Sequence, residues 1–272
     1  MKRPPVAPQP GPQCAYFFDI DGTLIDLAAS PDAVRVESAL SPVIAALSRI
    51  TGGAVALISG RSLSDIDDLF PVRGLPAAGQ HGVERRTAAG VTHRHALPSG
   101  SLDRVRQRLT PFLARHPRLL LEDKGQSLAL HYRGAPRLAS AVHRTMRLML
   151  RLAGRRYVLQ PGKRVVELKP AGRDKGAAIR EFMGERPFRG RIPVFIGDDA
   201  TDEHGFRVVN RLGGCSIKVG AGRTAARWRL PNARAVVAWI GSGRPSPVRI
   251  AQSTSRHRGA AAKAARIRPT CE

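Results

Sequence analysis

Three short, unbroken apolar runs constrain the fold of this chain more than any other feature. Ala15-Tyr16-Phe17-Phe18 stops at Asp19, Ala54-Val55-Ala56-Leu57-Ile58 stops at Ser59, and Val194-Phe195-Ile196 stops at Gly197. Runs of that length without polar alternation suit strands buried on both faces of a parallel sheet. Helical spacing separates them: Leu40, Ile44 and Leu47 precede the second run, and Ala177, Ala178 and Phe182 precede the third. The prediction is an open α/β sheet. Ligands of such sheets bind beyond the carboxyl ends of the strands, which is where all three polar turns fall.

The middle of the chain departs from this rhythm. Leu102, Val105, Leu109 and Leu113 mark a helix after Ser101, and strand-like runs follow at 118–124 and 127–133. Leu138, Val142, Met146 and Leu150 mark a second helix stopped by Gly154, and two more strands fit 156–160 and 164–169. Helix, two strands, helix, two strands form a compact α+β unit able to cover the open sheet, and we read it as an inserted cap. The expected organisation is a flexible, proline-rich leader at 1–13, a core at 14–97 and 170–241, the cap at 98–169, and a tail at 242–272. That tail is rich in Ser, Arg, Ala and Gly and reads as largely disordered, with 255–268 able to form a weak basic helix on a partner.

A length of 272 residues allows one or two domains with sizeable cores, and 42% hydrophobic residues fits a folded, soluble chain. No apolar run approaches the roughly 18 residues that cross a bilayer, so no membrane association is expected and a cytoplasmic location is the default. Cys14, Cys215 and Cys271 are odd in number, far apart and in no metal or redox spacing, which argues for reduced thiols without a chemical role. The net charge of +24 raises a nucleic-acid reading, but that reading needs a cluster. Only seven basic residues fall from Ser242 onward, against Glu272, so most of the excess is spread through the body and nucleic acid is not the expected partner.

Acidic residues behave differently. Of 21, six fall in two short windows: Asp19 and Asp21, then Asp198, Asp199, Asp202 and Glu203. Like charges crowded at strand ends destabilise unless neutralised, and a hard divalent cation such as Mg²⁺ would do so. Each window alone also fits a plainer reading, an Asp/Gly turn for Asp19-Ile20-Asp21-Gly22-Thr23 and a helix cap for Asp198-Asp199. Two such windows, each after a buried strand, favour chemistry. Asp19 is then a candidate nucleophile toward phosphorus, and Asp21 a candidate acid and base two residues away. Phosphoryl transfer also needs donors for the transferring group. Ser59-Gly60-Arg61 offers a hydroxyl and backbone N–H groups, or else a helix N-cap, and Lys175-Gly176 opens a helix with a point charge. On the cap, Glu122 and Lys124, and Glu167 and Lys169, each stand two apart and share a face of a strand. Such a face can pair with sugar hydroxyls or carry cross-strand ion pairs.

The ordered set Asp19-Ile20-Asp21-Gly22-Thr23-Leu24, Ser59-Gly60-Arg61, Lys175-Gly176 and Gly197-Asp198-Asp199-Ala200-Thr201-Asp202-Glu203 resembles the haloacid dehalogenase superfamily of phosphatases. Within it the chain is similar to the trehalose-6-phosphate phosphatase family from about residue 15 to about 240. Gly79-Gln80-His81-Gly82-Val83-Glu84-Arg85-Arg86, Glu122-Asp123-Lys124-Gly125, His131-Tyr132-Arg133 and Val165-Val166-Glu167-Leu168-Lys169-Pro170 support that choice. The resemblance implies a Rossmann-like core with a cap, and a Mg²⁺ held by Asp19, the carbonyl of Asp21, and Asp198. It implies Asp19 as nucleophile, Asp21 as acid and base, and Ser59 with Lys175 on the phosphate, Gly60 and Arg61 lying in the same binding turn. Asp199 and Asp202 would be supporting carboxylates, and Glu122, Lys124, Arg133 and Glu167 would grip the glucosyl unit remote from the phosphate. The implied substrate is trehalose 6-phosphate, with the synthase that forms it an open second partner.

Overall fold

The computed structural model describes residues 11–26, 40–72, 74–95, 100–242 and 248–249. Most of the segments expected as leader and tail, including the helix at 255–268, therefore lie outside the described residues. In chain order the elements are β1 (Cys14–Phe18), α1 (Leu40–Ile50), β2 (Val55–Ile58), α2 (Leu63–Leu69), β3 (Ala77–Gly79), β4 (Glu84–Arg86) and β5 (Thr92–Arg94). There follow α3 (Ser101–Ala114), β6 (Leu120–Asp123), β7 (Leu128–His131), α4 (Ala139–Ala153), β8 (Tyr157–Gly162) and β9 (Val165–Pro170). The chain continues with α5 (Lys175–Met183), β10 (Ile192–Gly197), α6 (Glu203–Arg211), β11 (Cys215–Val219), β12 (Trp228–Leu230), α7 (Ala233–Ser242) and β13 (Val248–Arg249).

Among the described residues the larger sheet has the order β13-β12-β11-β10-β1-β2-β3-β4-β5. Neighbours from β12 to β3 are parallel, and the antiparallel β13 and the β4–β5 hairpin extend the two edges. The apolar runs are central because both their faces are covered. On β1, Cys14, Tyr16 and Phe18 pack with Leu40, Ile44 and Leu47 of α1, Ile66 of α2 and Trp239 of α7. Ala15 and Phe17 point the other way, onto Ile179 and Phe182 of α5 and Phe206 of α6. Each such large apolar side chain withdrawn from water contributes roughly 1.5–3 kcal/mol, so this strand cannot sit at an edge. The chain steps from β1 one way through β2 and β3, then reverses from β10 outward. The reversal falls at β1/β10, and this switch point is where the carboxyl ends of adjacent strands leave a crevice.

The second sheet, of order β6-β7-β9-β8, is antiparallel and lies in the chain between β5 and α5. Its strands fall within a residue or two of the expected runs. One face is apolar: Leu128, Leu130, Val166 and Leu168 pack with Val105 and Leu109 of α3 and Val142 and Met146 of α4. The pleat sends the alternate residues to the opposite face. There Glu122, Ala129, Glu167 and Gln160 form one row across all four strands.

Candidate active site

Asp19 follows β1, and its backbone N–H still donates to the Ile196 carbonyl of β10 at 3.0 Å, so the two strand ends are held level. That pairing brings the acidic windows together: oxygens of Asp19, Asp198 and Asp202 lie within 4.8 Å of one another. Thr23 spans the first two, its Oγ1 donating toward Asp19 Oδ2 at 3.4 Å and Asp198 Oδ1 at 3.5 Å. Lys175, first residue of α5, donates from Nζ to Asp19 Oδ1 at 2.6 Å and to Asp202 Oδ1 at 2.7 Å. The helix starts there because Asp174 caps it, accepting the Ala177 N–H at 2.7 Å.

The electrostatics follow from three carboxylates sharing one ammonium. Burial, then Asp202 and Asp198, raise the Asp19 carboxyl well above the ordinary range against the opposing pull of Lys175. Burial with Asp202 and Asp199 pushes Asp198 up to about 6. Burial disfavours the Lys175 ammonium, but Asp19, Asp202 and Asp199 outweigh it and hold the lysine charged. The donor set fits a hard divalent cation: oxygen ligands only, with negative charge in excess. The three carboxylates are not equivalent as ligands. Asp202 Oδ2 already accepts the N–H groups of Asp198 and Asp199, both at 2.9 Å, and Oδ1 holds Lys175, so this residue braces the turn. Asp19 and Asp198 keep oxygen lone pairs for a metal. The Asp21-Gly22 backbone runs beside them, since a Cβ on Gly22 would stand 2.3 Å from Asp198 Oδ2. Lys218, absent from the expected site, donates to the Asp198 carbonyl from β11.

The helix-cap alternative holds in part: Asp199 caps the turn Ala200–Asp202 in a reciprocal box with Asp202. It does not hold for Ser59, because α2 is capped by Ser62 with Asp65. Ser59 is buried, its N–H is bonded to the Ala78 carbonyl, and its Oγ accepts the Arg61 N–H at 3.2 Å. The turn therefore offers an anion its hydroxyl and the Gly60 N–H, fewer backbone donors than the sequence suggests. The Arg61 guanidinium is turned onto Asp21, donating from Nε to Oδ2 at 2.8 Å and from Nη2 to Oδ1 at 2.7 Å.

The polar row of the second sheet faces this turn. Lys124 Nζ donates to the Gly60 carbonyl at 2.9 Å and stands 3.6 Å from Glu122 and 4.0 Å from Glu167. Glu167 accepts Ser127 Oγ at 2.8 Å and meets His81 Nε2 at 3.2 Å. Burial works against the Glu167 carboxylate, but His81, Lys124 and the Ser127 hydroxyl hold it below the usual carboxylate range. Glu122 is paired with His131 at 2.9 Å, and Arg133 is exposed past the end of β7 opposite Ser127. A cavity of about 310 Å³ opens beside the row, lined by Gln160 and Lys169 of this sheet and by Asp174, Thr201 and His204. His81, Gln160, Ser127 and Thr23 were not singled out as site residues. Only Thr23, two positions after Asp21, stood where spacing could have found it.

The family described as trehalose-phosphatase matches residues 17–233. The chain is 45% identical to the trehalose-6-phosphate phosphatase of Escherichia coli (strain K12) over 233 residues, 86% of this chain and 87% of that protein. It is 46% identical over 206 residues to the probable trehalose-phosphate phosphatase of Sinorhizobium fredii (strain NBRC 101917 / NGR234), 76% of this chain and 77% of that one. Among solved structures, the C-terminal domain of Candida albicans trehalose-6-phosphate phosphatase matches with a TM-score of 0.74 at 19% identity, covering 85% of this chain and 91% of that one, a likeness of fold.

Proposed function

The chain belongs to the trehalose-phosphatase family, and from that premise we propose that it hydrolyses trehalose 6-phosphate to trehalose and inorganic phosphate through an aspartyl-phosphate on Asp19. The observation that carries this reading is the meeting, at the β1/β10 switch point, of the Asp19, Asp198 and Lys175 side chains beneath a polar sheet face. In this reading residues 14–97 and 170–241 are the catalytic core and 98–169 the cap. In this reading the enzyme is cytoplasmic, and its partners are the sugar phosphate and, as a further proposal, the synthase that makes it.

Lys175, the Ser59 hydroxyl and the Gly60 N–H hold the phosphate, fixing phosphorus in line with an Asp19 oxygen. Asp19 attacks, the bond from phosphorus to the sugar O6 breaks, and protonated Asp21 gives its proton to that oxygen, so neutral trehalose leaves. Ionised Asp21 then takes a proton from a water that attacks the acyl phosphate, regenerating Asp19 and releasing phosphate. Two parallel hydrogen bonds from Arg61 fix the Asp21 carboxyl in place beside Asp19. Asp19, the Asp21 carbonyl and Asp198 would hold Mg²⁺, which would supply positive charge to the transferring group when bound. Glu122, Lys124, Arg133 and Glu167 grip the distal glucosyl ring, and a substrate lacking its hydroxyls leaves these polar groups unpaired.

The deciding experiment is phosphate release from a panel of sugar phosphates, with and without Mg²⁺. Release from trehalose 6-phosphate well above sucrose 6-phosphate and glucose 6-phosphate, and only with the metal, is expected. Equal rates across the panel would overturn the substrate assignment.

A further inference from the structure

One residue of the core reaches into the cap and belongs to neither set of roles above. His81 lies in the tight turn Gln80–Gly82 after β3, where Gln80 has φ 47° and His81 φ 58°. Left-handed backbone costs about 1 kcal/mol or more per non-glycine residue, and it persists only where surroundings over-determine it. Here they do. Gln80 N–H donates to the Arg61 carbonyl at 2.7 Å and His81 N–H to the Ser59 carbonyl at 2.8 Å, so the turn is strapped to the phosphate-binding loop. From the other side Arg85 of β4 pairs with Glu181 of α5 and with Glu185 just past its end, and lies 4.9 Å over the Phe182 ring.

This backbone sends the imidazole across Gly60. A Cβ at Gly60 would stand 2.8 Å from His81 Nε2, so glycine there is what lets the ring pass. Beyond it, Nε2 meets Glu167 Oε2 and the Gln160 amide, both at 3.2 Å and both on the polar row of the cap sheet. The ring is buried, and among the described residues Nδ1 has no partner. Glu167 is thus fixed on one oxygen by its own sheet, through Ser127, and on the other by the core.

Resting on the function proposed above, we propose that His81 is a positioning residue for sugar recognition, donating from Nε2 to Glu167 so that the carboxylate takes its sugar-binding orientation only when the cap is closed on the core. A proton on Nε2 serves Glu167 and not the Gln160 amide nitrogen at the same distance, and it leaves Nδ1 without a partner among the described residues. The contact converts cap closure into an oriented carboxylate and spends no binding energy on the phosphate.

Steady-state kinetics on trehalose 6-phosphate and on p-nitrophenyl phosphate, with Mg²⁺, test this. Asn tolerates left-handed backbone, so His81→Asn keeps the turn, but its amide falls short of Glu167; Gln reaches the position of Nε2 and can donate there. His81→Asn is expected to raise KM for trehalose 6-phosphate about tenfold or more with a much smaller change in kcat. Its loss in kcat/KM should exceed that on the aryl phosphate by about tenfold, with His81→Gln recovering to within about threefold of wild type. In a Glu167→Gln background, His81→Asn should add less than about twofold, because both changes break one contact. Equal losses on the two substrates, or additive losses in the double variant, would overturn the proposal. Wild-type protein inert on trehalose 6-phosphate would instead overturn the parent reading, and this one with it.

Discussion

At the scale of single residues, the site is governed by how many negative groups share one positive one. Lys175 bonds Asp19 and Asp202 together, and Asp202 spends its remaining oxygen on two backbone N–H groups. Replacing Asp19 with Asn removes the nucleophile but leaves Lys175 paired with Asp202, so Asp19→Asn should fold, judged by circular dichroism and thermal melting. Phosphate release from trehalose 6-phosphate should fall by about 10⁴-fold or more. Residual turnover near wild type would mean that water attacks phosphorus directly. Arg61 makes a different prediction, because its planar fork holds both oxygens of Asp21 and a lysine point charge cannot. Arg61→Lys should lower kcat by about ten- to a hundredfold, at or below the roughly 10²- to 10⁴-fold that acid and base catalysis contributes in full. A rise in KM alone would place Arg61 on the substrate and not on Asp21.

At the scale of elements, α5 and α6 show how packing sets a catalytic side chain. Gly176, beside Lys175, lies so close to α6 that an added Cβ would stand 2.7 Å from the His204 carbonyl oxygen and 2.8 Å from Val208 Cγ2. Helix propensity favours Gly176→Ala by up to about 1 kcal/mol, whereas overpacking a close contact costs about 1–3 kcal/mol. The clash should win, lowering the Tm by several degrees and raising KM as Lys175 moves off its partners. An unchanged or raised Tm would show that the helices can part freely. The elements that carry this geometry were the legible ones. The runs ending at Asp19, Ser59 and Gly197 are long enough, and buried enough on both faces, for their own residues to declare them as strands. By contrast β3, β4 and β5 are three residues each, and their pairing is decided by the neighbouring strand more than by any internal alternation. The row Glu122, Ala129, Glu167 and Gln160 was half legible, because the two-residue spacing of Glu122 with Lys124 sets a face while the cross-strand register does not appear in the spacing. His81 was illegible as a site residue for a sharper reason. Its partner Glu167 is 86 positions away, and the left-handed turn that aims it is set by the Ser59 and Arg61 carbonyls.

At the scale of the whole molecule, a chain of net charge +24 gathers the carboxylates of Asp19, Asp198 and Asp202 at one point, with Lys175 bonded to the first and the third. Folding brings these carboxylates together from positions nearly 180 apart, so the repulsion is absent from the unfolded chain and weighs on the folded one alone. A divalent cation bound only by the folded protein removes that cost and adds stability as RT ln(1 + [L]/Kd), about 2.7 kcal/mol at a hundredfold excess over Kd. Spread over a fold of this size, that is a rise in Tm on the order of 5–10 °C with Mg²⁺, reversed by chelator. Asp198→Asn separates this effect from general salt stabilisation. The variant loses one of the two carboxylates with lone pairs to spare, so the response to Mg²⁺ should largely vanish. Its metal-free form should melt no lower than the metal-free wild type, since one like charge has gone. A full Mg²⁺ response retained in Asp198→Asn would remove β10 from the metal site, and with it the reason why the two strand ends must meet.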